Sequence, residues 1–176
     1  MSKARQLADL GDDFDGTNLT LSGGVVFGDA GGSGTSISNT LNSYEEGNWT
    51  PSVSATSFAP SSISYSELTG IYTKIGNLVT LQCELRISSK SGGSGSAIIT
   101  GMPFACKSVD IVPVGSMEAS SINLTTGYSM FAVMTYQSQS TIFLREYGDN
   151  VAERSISIGS VGSPSRIRFT LTYQTQ

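Results

Sequence analysis

The stretch Leu78–Ser88 reads LVTLQCELRIS, and its apolar and polar side chains alternate along its length. A period of two places successive side chains on opposite faces of a β-strand. The apolar face carries Val79, Leu81, Cys83, Leu85 and Ile87. The polar face carries Thr80, Gln82, Glu84 and Arg86. This division predicts a strand of an antiparallel sheet that buries one face and exposes the other to water.

The same alternation returns near the C-terminus, where residues 167–173 read IRFTLTY. Between the two stretches lie short apolar segments bounded by Gly, Ser, Asn or Pro, which are typical turn residues. One segment, Met130–Met134, is apolar on both faces, which predicts a central strand or a strand at a subunit interface. Another, RSISIGS at residues 154–160, is also predicted as a strand. The pattern predicts an all-β head with an antiparallel β-sandwich or jelly-roll-like architecture.

The composition agrees with a protein of many turns rather than of long helices. Among 176 residues there are 20 glycines, 38% of the residues are hydrophobic and only 14% are charged. A chain of this size has room for one modest core, so we expect one domain and an accessory segment. The two cysteines, Cys83 and Cys106, are too few for a disulfide framework and are predicted to be small buried side chains.

The distribution of charge excludes nucleic acid as a partner. The net charge is −4, and residues 1–46 alone carry −5, so the remainder is close to neutral. No cluster of Lys and Arg is present that could neutralise phosphates. No apolar run is long enough to span a bilayer, and the opening MSKARQLADLGDD lacks the apolar core of a secretory signal. We therefore expect that the protein is synthesised in the cytoplasm and does not insert into a membrane.

The absence of histidine removes most catalytic templates from consideration. Ser-His-Asp and Cys-His systems are impossible, and zinc loses its commonest ligand. A glycosidase that uses two carboxylates stays open, and Glu84, Glu118 and Glu146 are the candidates to mutate. The acidic residues that could supply its acid and base are Glu45, Glu46, Glu67, Glu84, Glu118, Glu146, Asp149 and Glu153. Because such carboxylates usually lie on solvated surfaces, the sequence predicts no catalytic residue and no enzyme activity.

Two short segments resemble ligand-binding loops and fail in detail. DDFDGTN at residues 12–18 begins like a calcium loop, but it lacks an acidic first ligand and the closing glutamate. GGSGTS at residues 31–36 has the glycines of a phosphate loop, but no lysine follows them. We predict a solvated turn and a flexible linker, with no metal and no cofactor.

Three residues beside turns in the second half of the chain are candidates for binding. Tyr128 and Tyr147 each offer a flat apolar ring with a polar tip, which suits contact with a sugar or a protein. Arg145, in the sequence FLREYGDN, could donate hydrogen bonds to a carbohydrate or a carboxylate. Packing within the core or an interface is the alternative for each tyrosine, and the sequence favours it.

The N-terminal region has a different texture from the rest of the chain. KARQLADL at residues 3–10 could form a helix of two turns. Because so short a helix is unstable alone, it would have to dock on its own oligomer or on a partner. Leu19, Leu21 and Val25–Phe27 indicate strands that are too short and glycine-broken to enclose a core. Several copies wrapped around an axis could bury them, which suggests an oligomeric stalk or neck.

Three stretches taken together carry a family resemblance. They are YEEGNWTPSVS at residues 44–54, GIYTKIGNLVTLQCELRI at residues 70–87 and IITGMPF at residues 98–104. In this order they resemble a module of bacteriophage tail-fibre and virion structural proteins, and the likeness covers roughly residues 17–105. In that module Trp49 opens the head and caps its core, while Gly76-Asn77, both able to take positive φ, form a hairpin turn.

The resemblance implies a short homotrimeric fibre in three parts. Residues 1–16 would attach to the virion, residues 17–46 would form an intertwined trimeric neck, and residues 47–176 would form the head. The attachment peptide would contact a tail, baseplate or hub protein through Lys3, Arg5, Leu7 and Leu10.

The implied function is recognition of a host receptor by a tail fibre. The head would bind a cell-surface glycan or protein during adsorption, and the protein would be located in the virion tail. A capsid decoration protein or head fibre, or another non-adhesive virion component, is the alternative that the sequence leaves open. A tailspike that cleaves polysaccharide is a third hypothesis, which the missing histidine and the lack of a repetitive solenoid pattern disfavour.

Overall fold

The computed structural model describes residues 25–26, 40–41, 43–108 and 111–176. The chain divides into two units, one that ends at Tyr44 and one that runs from Glu45 to Gln176. In the first unit, strand β1 (Val25–Val26) pairs antiparallel with β2 (Thr40–Leu41). The predictions for the helix at residues 3–10, for the attachment residues Lys3, Arg5, Leu7 and Leu10, for Leu19 and Leu21 and for both ligand-like loops lie outside the described residues.

The second unit is built from one continuous sheet. Its strands are β3 (Tyr44–Asn48), β4 (Ser52–Ala55), β5 (Ser62–Ile75), β6 (Leu78–Ser91), β7 (Ala97–Thr100), β8 (Val114–Ile122), β9 (Met130–Thr135), β10 (Ile142–Tyr147), β11 (Arg154–Ser155) and β12 (Val161–Gln174). The strand order is β3-β5-β6-β12-β8-β9-β10-β7-β4, and β11 pairs with β10. The registered pairs within this sheet are antiparallel. The prediction of an all-β antiparallel head is confirmed.

The sheet curls back on itself because consecutive strands occupy its two opposite edges. β3 lies at the β5 edge and β4 lies at the β7 edge, and only residues 49–51 separate them along the chain. At this junction the Trp49 N–H donates to the Gly70 carbonyl (3.0 Å). On the other side Gly101, with φ of +92°, lies so close to the Thr50 carbonyl that a side chain there would overlap it. The segment from Tyr44 to Ala55 therefore closes the sheet.

The core lies inside this curled sheet. Alternation on β6 and β12 turns their apolar residues inward, and Cα partners across the two strands, such as Leu81 with Leu171 and Leu85 with Ile167, are fully buried. The largest fully buried side chains include Leu81, Leu85, Ile87, Ile99, Ile142, Leu144, Ile156, Ile158, Ile167 and Leu171. Their removal from water is the main favourable contribution to the stability of the unit.

Trp49 and both cysteines belong to this core, as predicted. The Trp49 side chain is 6% exposed and its ring packs at a tilt against Phe169, with centroids 6.3 Å apart. Cys83 and Cys106 are free and buried. Burial, aided by the neighbouring Glu84 carboxylate, raises the pKa of Cys83 to about 12, so this thiol stays protonated and unreactive at neutral pH.

Several strand predictions are confirmed and two details are corrected. β9 is a central strand between β8 and β10, as the run Met130–Met134 predicts. In the β5–β6 turn only Gly76 takes a positive φ (+59°), so the expectation for Asn77 is wrong, and the pattern is that of a turn with glycine first. RSISIGS forms only the two-residue β11 and then a 3-10 turn, because the Ser157 hydroxyl accepts the Gly159 N–H and bends the chain. The trimeric neck and the three-part division stay predictions.

The long strands give the second unit two ends. We call proximal the end that contains Glu45, the β5–β6 turn at Gly76 and the last residues of β12. There the Glu45 carboxylate accepts a hydrogen bond from Tyr72, near the β5–β6 turn. We call distal the opposite end, where Ser62 pairs with Ser91 and Val161 with Ile122. The loops after β8 and β10 lie at the distal end.

Candidate functional site

The three residues predicted to bind a receptor lie near one another at the distal end. Tyr128 belongs to the loop between β8 and β9, and Arg145 and Tyr147 belong to the last part of β10. The Ser129 N–H donates to the Tyr147 carbonyl (2.9 Å), which joins the loop to the strand. We call the surface formed by residues 123–130 and 145–155 the distal cluster.

Tyr128 is held in place by the segment that follows β10. Its hydroxyl donates to the Ala152 carbonyl (2.6 Å), and the Arg154 guanidinium lies over its ring at 5.9 Å. The ring remains half-buried, with one cation already against a face. Tyr128 therefore presents a fixed, partly covered aromatic surface, which suits contact with a ligand at low entropic cost.

The two terminal nitrogens of Arg145 are engaged inside the protein, whereas its buried Nε has no hydrogen-bond partner among the residues that the structure describes. Its terminal nitrogens contact the Glu153 carboxylate (3.0 Å) and the Ser155 hydroxyl (2.6 Å), and its side chain is only 12% exposed. Burial, followed by hydrogen bonding to Glu153, raises the pKa of Tyr147 to about 12, so its hydroxyl is neutral at physiological pH. The structure brings Arg145 and Tyr147 together around Glu153, where they fix the segment after β10. Their direct contact with a receptor stays a prediction.

A buried carboxylate links the two loops of the distal cluster. Glu146 is 2% exposed and points toward the interior from β10. It accepts hydrogen bonds from the Thr125 N–H (2.9 Å) and the Thr125 hydroxyl (2.6 Å), and the Arg154 Nε lies 3.2 Å away. A buried charge is tolerated only with such partners. Glu146 therefore fixes the loop after β8 and, through Arg154, the ring of Tyr128.

The two loops also approach each other without side chains between them. A side chain at Gly148 would overlap the carbonyl oxygen of Gly127. The backbone of each loop thus restricts the other, which leaves exposed side chains on a rigid support. Met130 and Val151, which are 59% and 43% exposed, are the large apolar side chains of this surface.

A further exposed aromatic residue lies at the same end on a separate loop. Phe58 is 75% exposed, and its backbone forms an isolated β-bridge with Ser94 through hydrogen bonds of 2.9 and 3.1 Å. A neighbouring bridge joins Ser96 to Ser157, close in sequence to β11. Phe58 is therefore a second aromatic group on a rigid backbone along the distal rim.

The outer face of β5, β6, β12 and β8 carries the second polar surface of the molecule. Cross-strand ion pairs join Glu67 to Arg86 (3.0 Å), Glu84 to Arg168 (2.7 Å), and Glu118 to Arg166 (2.8 Å) and Arg168 (3.5 Å). An open groove of about 510 Å³ lies along these strands. The opposite charges on adjacent strands stabilise the sheet pairing and leave the face nearly neutral.

This charged face lacks the electrostatics of a glycosidase. A hydrogen bond from Arg168 lowers the pKa of Glu84, and one from Arg166 lowers the pKa of Glu118, so both carboxylates are ionised at neutral pH. A two-carboxylate mechanism needs one acid whose pKa is raised. Glu146, the third candidate, points into the core from β10 and is not brought together with the other two.

In the part of the chain that the structure describes, neither a group of three metal ligands nor a helix that could span a membrane is present. There, Asp, Glu and Cys form no group of three or more that could hold a metal ion. Over the same residues no helix is long and apolar enough to cross a membrane.

Sequence reasoning missed Phe58, and it considered Glu146 only as a possible glycosidase carboxylate and not as a buried link between two loops. The signal for Glu146 was present, because Ile142, Leu144 and Glu146 alternate on one face of β10 and two of the three are core residues. A carboxylate in that third position indicates a buried, partnered charge. Phe58 stands among Ser, Ala and Pro, and only the fold shows that its ring points outward.

Comparisons with known proteins bear on the fold. No protein-family model matches the sequence, and no curated protein matches it significantly. Among solved structures, the chain is similar to the crystal structure of the Dettilon tailspike protein, with a TM-score of 0.56 and 18% sequence identity over 76% of this chain. The chain covers 24% of the length of that protein. At this identity the likeness establishes a shared fold over the covered part of the chain and nothing more.

Proposed function

We propose that the protein is a component of a phage virion, associated with the tail, that binds a host-cell receptor through the distal end of its head. The observation that carries the proposal is the fold shared with part of a tailspike protein, at a TM-score of 0.56. The sequence module at residues 44–54, 70–87 and 98–104 supports the same assignment independently.

The arrangement of the head supports the distal end as the contact surface. The chain joins the head at Glu45, at the proximal end, so the distal loops are the part of the head farthest from that junction along the strands. They carry Phe58, Tyr128 and Met130 on backbone that hydrogen bonds and the Glu146 carboxylate hold in place. Exposed apolar and aromatic groups on a rigid support are typical of binding surfaces.

The proposed mechanism is binding without chemistry. Three copies joined through residues 17–46, attached to a tail or baseplate protein through residues 1–16, present three distal ends to one cell. Individually weak contacts then reinforce one another through effective concentration. The lowered pKa values of Glu84 and Glu118 and the internal pairing of Glu146 support the absence of glycan cleavage.

Antibody labelling of virions in electron micrographs tests the location. We expect label at the tail of the phage that encodes the chain. Label on the capsid would replace the proposal by the decoration-protein alternative, and no label on washed particles would refute a virion role.

Competition for adsorption tests the receptor function. Purified full-length protein added to host cells should slow phage adsorption, and Phe58→Ala with Tyr128→Ala should abolish the competition. Ile71→Ala, which trims a 44% exposed apolar side chain on β5, outside both the distal cluster and the neck, is the control and should compete as the wild type does. Equal competition by all variants would remove the distal end from the proposal.

A further inference from the structure

The proximal end carries an apolar surface that the adhesive function does not use. Its members are exposed by 41–72% of their area: Ile75, Leu78, Ile111, Val112 and Val114. Ile75 and Leu78 face each other across the β5–β6 turn, and Leu78 pairs with Gln174 on β12. The segment before β8 supplies Ile111 and Val112, and β8 begins with Val114. We call this set the proximal apolar surface.

A groove of about 250 Å³ lies within this surface. It is lined by Leu78, Cys106, Ile111, Pro113, Thr172, Tyr173 and Gln174. Each of these described residues has an uncharged side chain at neutral pH. The Lys107 N–H donates to the Gln174 carbonyl (2.6 Å) and the Thr135 N–H donates to the Pro113 carbonyl (3.2 Å), so the segment that forms one wall is fixed to β12 and β9.

The outer face of the sheet changes character along its strands. Toward the distal end, β6 carries Glu84 and Arg86 in ion pairs. Toward the proximal end, the outward positions of β5 and β6 nearest the turn are Ile75 and Leu78, and β8 begins with Val114. A face solvated along its full length would keep polar side chains at these positions, because exposed contiguous apolar surface is unfavourable in water and promotes association. The proximal tip of this face, at Ile75, Leu78 and Val114, therefore has the composition of a buried contact.

We infer that a second copy of this chain packs against the proximal apolar surface. The inference rests on the proposed trimer and names where the heads meet. Each copy joins its head at Glu45, at this end, and the chain before Ser43 is the segment proposed to hold the copies together. Heads tethered at that point have their proximal ends at high effective concentration. An uncharged surface can also meet its own copy without the repulsion that like charges would cause.

Light scattering on the full-length protein over a range of concentrations tests the inference. Ile111→Ser combined with Val114→Ser should raise the concentration at which the oligomer dissociates by about tenfold or more, since each change removes a buried apolar group. The control is Val151→Ser, an exposed valine at the distal end, which should dissociate as the wild type does. Circular dichroism would show that each variant retains its fold.

Hydroxyl-radical footprinting of the unaltered protein gives a second readout that no folding defect can affect. In the oligomer, Ile111 and Val114 should be at least several-fold less oxidised than in the dissociated chain, whereas Met130 should react equally in both. An oligomer in which Ile111 and Val114 stay reactive, or in which the double variant assembles like the wild type, would overturn the inference alone. A wild-type chain that is monomeric at every concentration would overturn the proposed trimer as well.

Discussion

Replacing Trp49 by alanine removes the side chain that closes the sheet. The ring is 6% exposed, packs against Phe169 and donates from Nε1 toward the carbonyls of Ile71 (3.2 Å) and Gln82 (3.3 Å). Gly70 accommodates it, since a side chain at Gly70 would overlap both the Trp49 carbonyl and its indole. The substitution therefore opens a cavity where the two edges of the sheet meet.

The expected loss of stability follows from this burial. A tryptophan buries about 150–250 Å², and at about 25 cal/mol per Å² this contributes about 4–6 kcal/mol. Measured truncations of buried Trp or Phe to Ala cost about 3–5 kcal/mol. We therefore expect a loss of about 4 kcal/mol. This is a large part of the free energy of unfolding of a typical domain, which is about 5–15 kcal/mol. Trp49→Phe keeps most of the ring and loses the indole N–H, so it should cost about 1–2 kcal/mol.

Urea denaturation at one fixed protein concentration measures this loss. With a slope of about 2 kcal/mol per molar urea, Trp49→Ala should lower the midpoint by about 2 M. Phe58→Ala is the control, because a ring that is 75% exposed should change the free energy of unfolding by less than about 0.5 kcal/mol. A Trp49→Ala midpoint within the error of the wild type would refute the role of this ring in closing the sheet.

Three further changes test other parts of the structure. Gly101→Ala forces a side chain at positive φ against the Thr50 carbonyl and should lower the free energy of unfolding by about 1–3 kcal/mol, measured by urea denaturation. Glu146→Gln removes a buried charge and should cost about 1–3 kcal/mol, with faster hydrogen exchange in residues 123–129; unchanged exchange there would contradict its role. Hydrogen bonds from arginines lower the pKa values of Glu84 and Glu118, so their stabilising contribution is present above the unfolded pKa and is lost as the pH falls through the folded one. The melting temperature should therefore decrease as the pH is lowered below about 4. Glu84→Gln combined with Glu118→Gln should weaken this dependence of the melting temperature on pH.

The strands that sequence predicts best are those that bury one face over about ten consecutive residues. β6 and β12 show strict alternation, and each pairs with the other along ten registered positions. β5 is equally long, but its alternation is interrupted by Gly70 and by polar residues, so only its turn could be predicted. The interruption has a tertiary cause, because Gly70 leaves room for Trp49, which is distant in sequence. Local periodicity cannot contain such a contact.

The candidate site was predictable in its residue types and not in its arrangement. Tyr128, Arg145 and Tyr147 stand near turns in the sequence, and the structure places them near one another. Their partners Glu153 and Ala152 come from a segment whose course depends on the short pairing of β11 with β10. The sequence predicts Arg145 as a donor to a carbohydrate or a carboxylate. In the structure the Glu153 carboxylate and the Ser155 hydroxyl accept from it, and no sequence pattern fixes these distances.

The outer face of the head has an ion-paired distal half and an apolar proximal end, and the two are stabilised in different ways. Ion pairs across β5, β6, β12 and β8 satisfy the charges of the distal half internally, so this half is stable in water without a partner. The apolar side chains around Leu78 and Ile111 have no such internal solution, because only removal from water satisfies them. If the heads pack together at that end, their distal ends remain separate and exposed, which is the geometry that multivalent attachment to one cell surface needs.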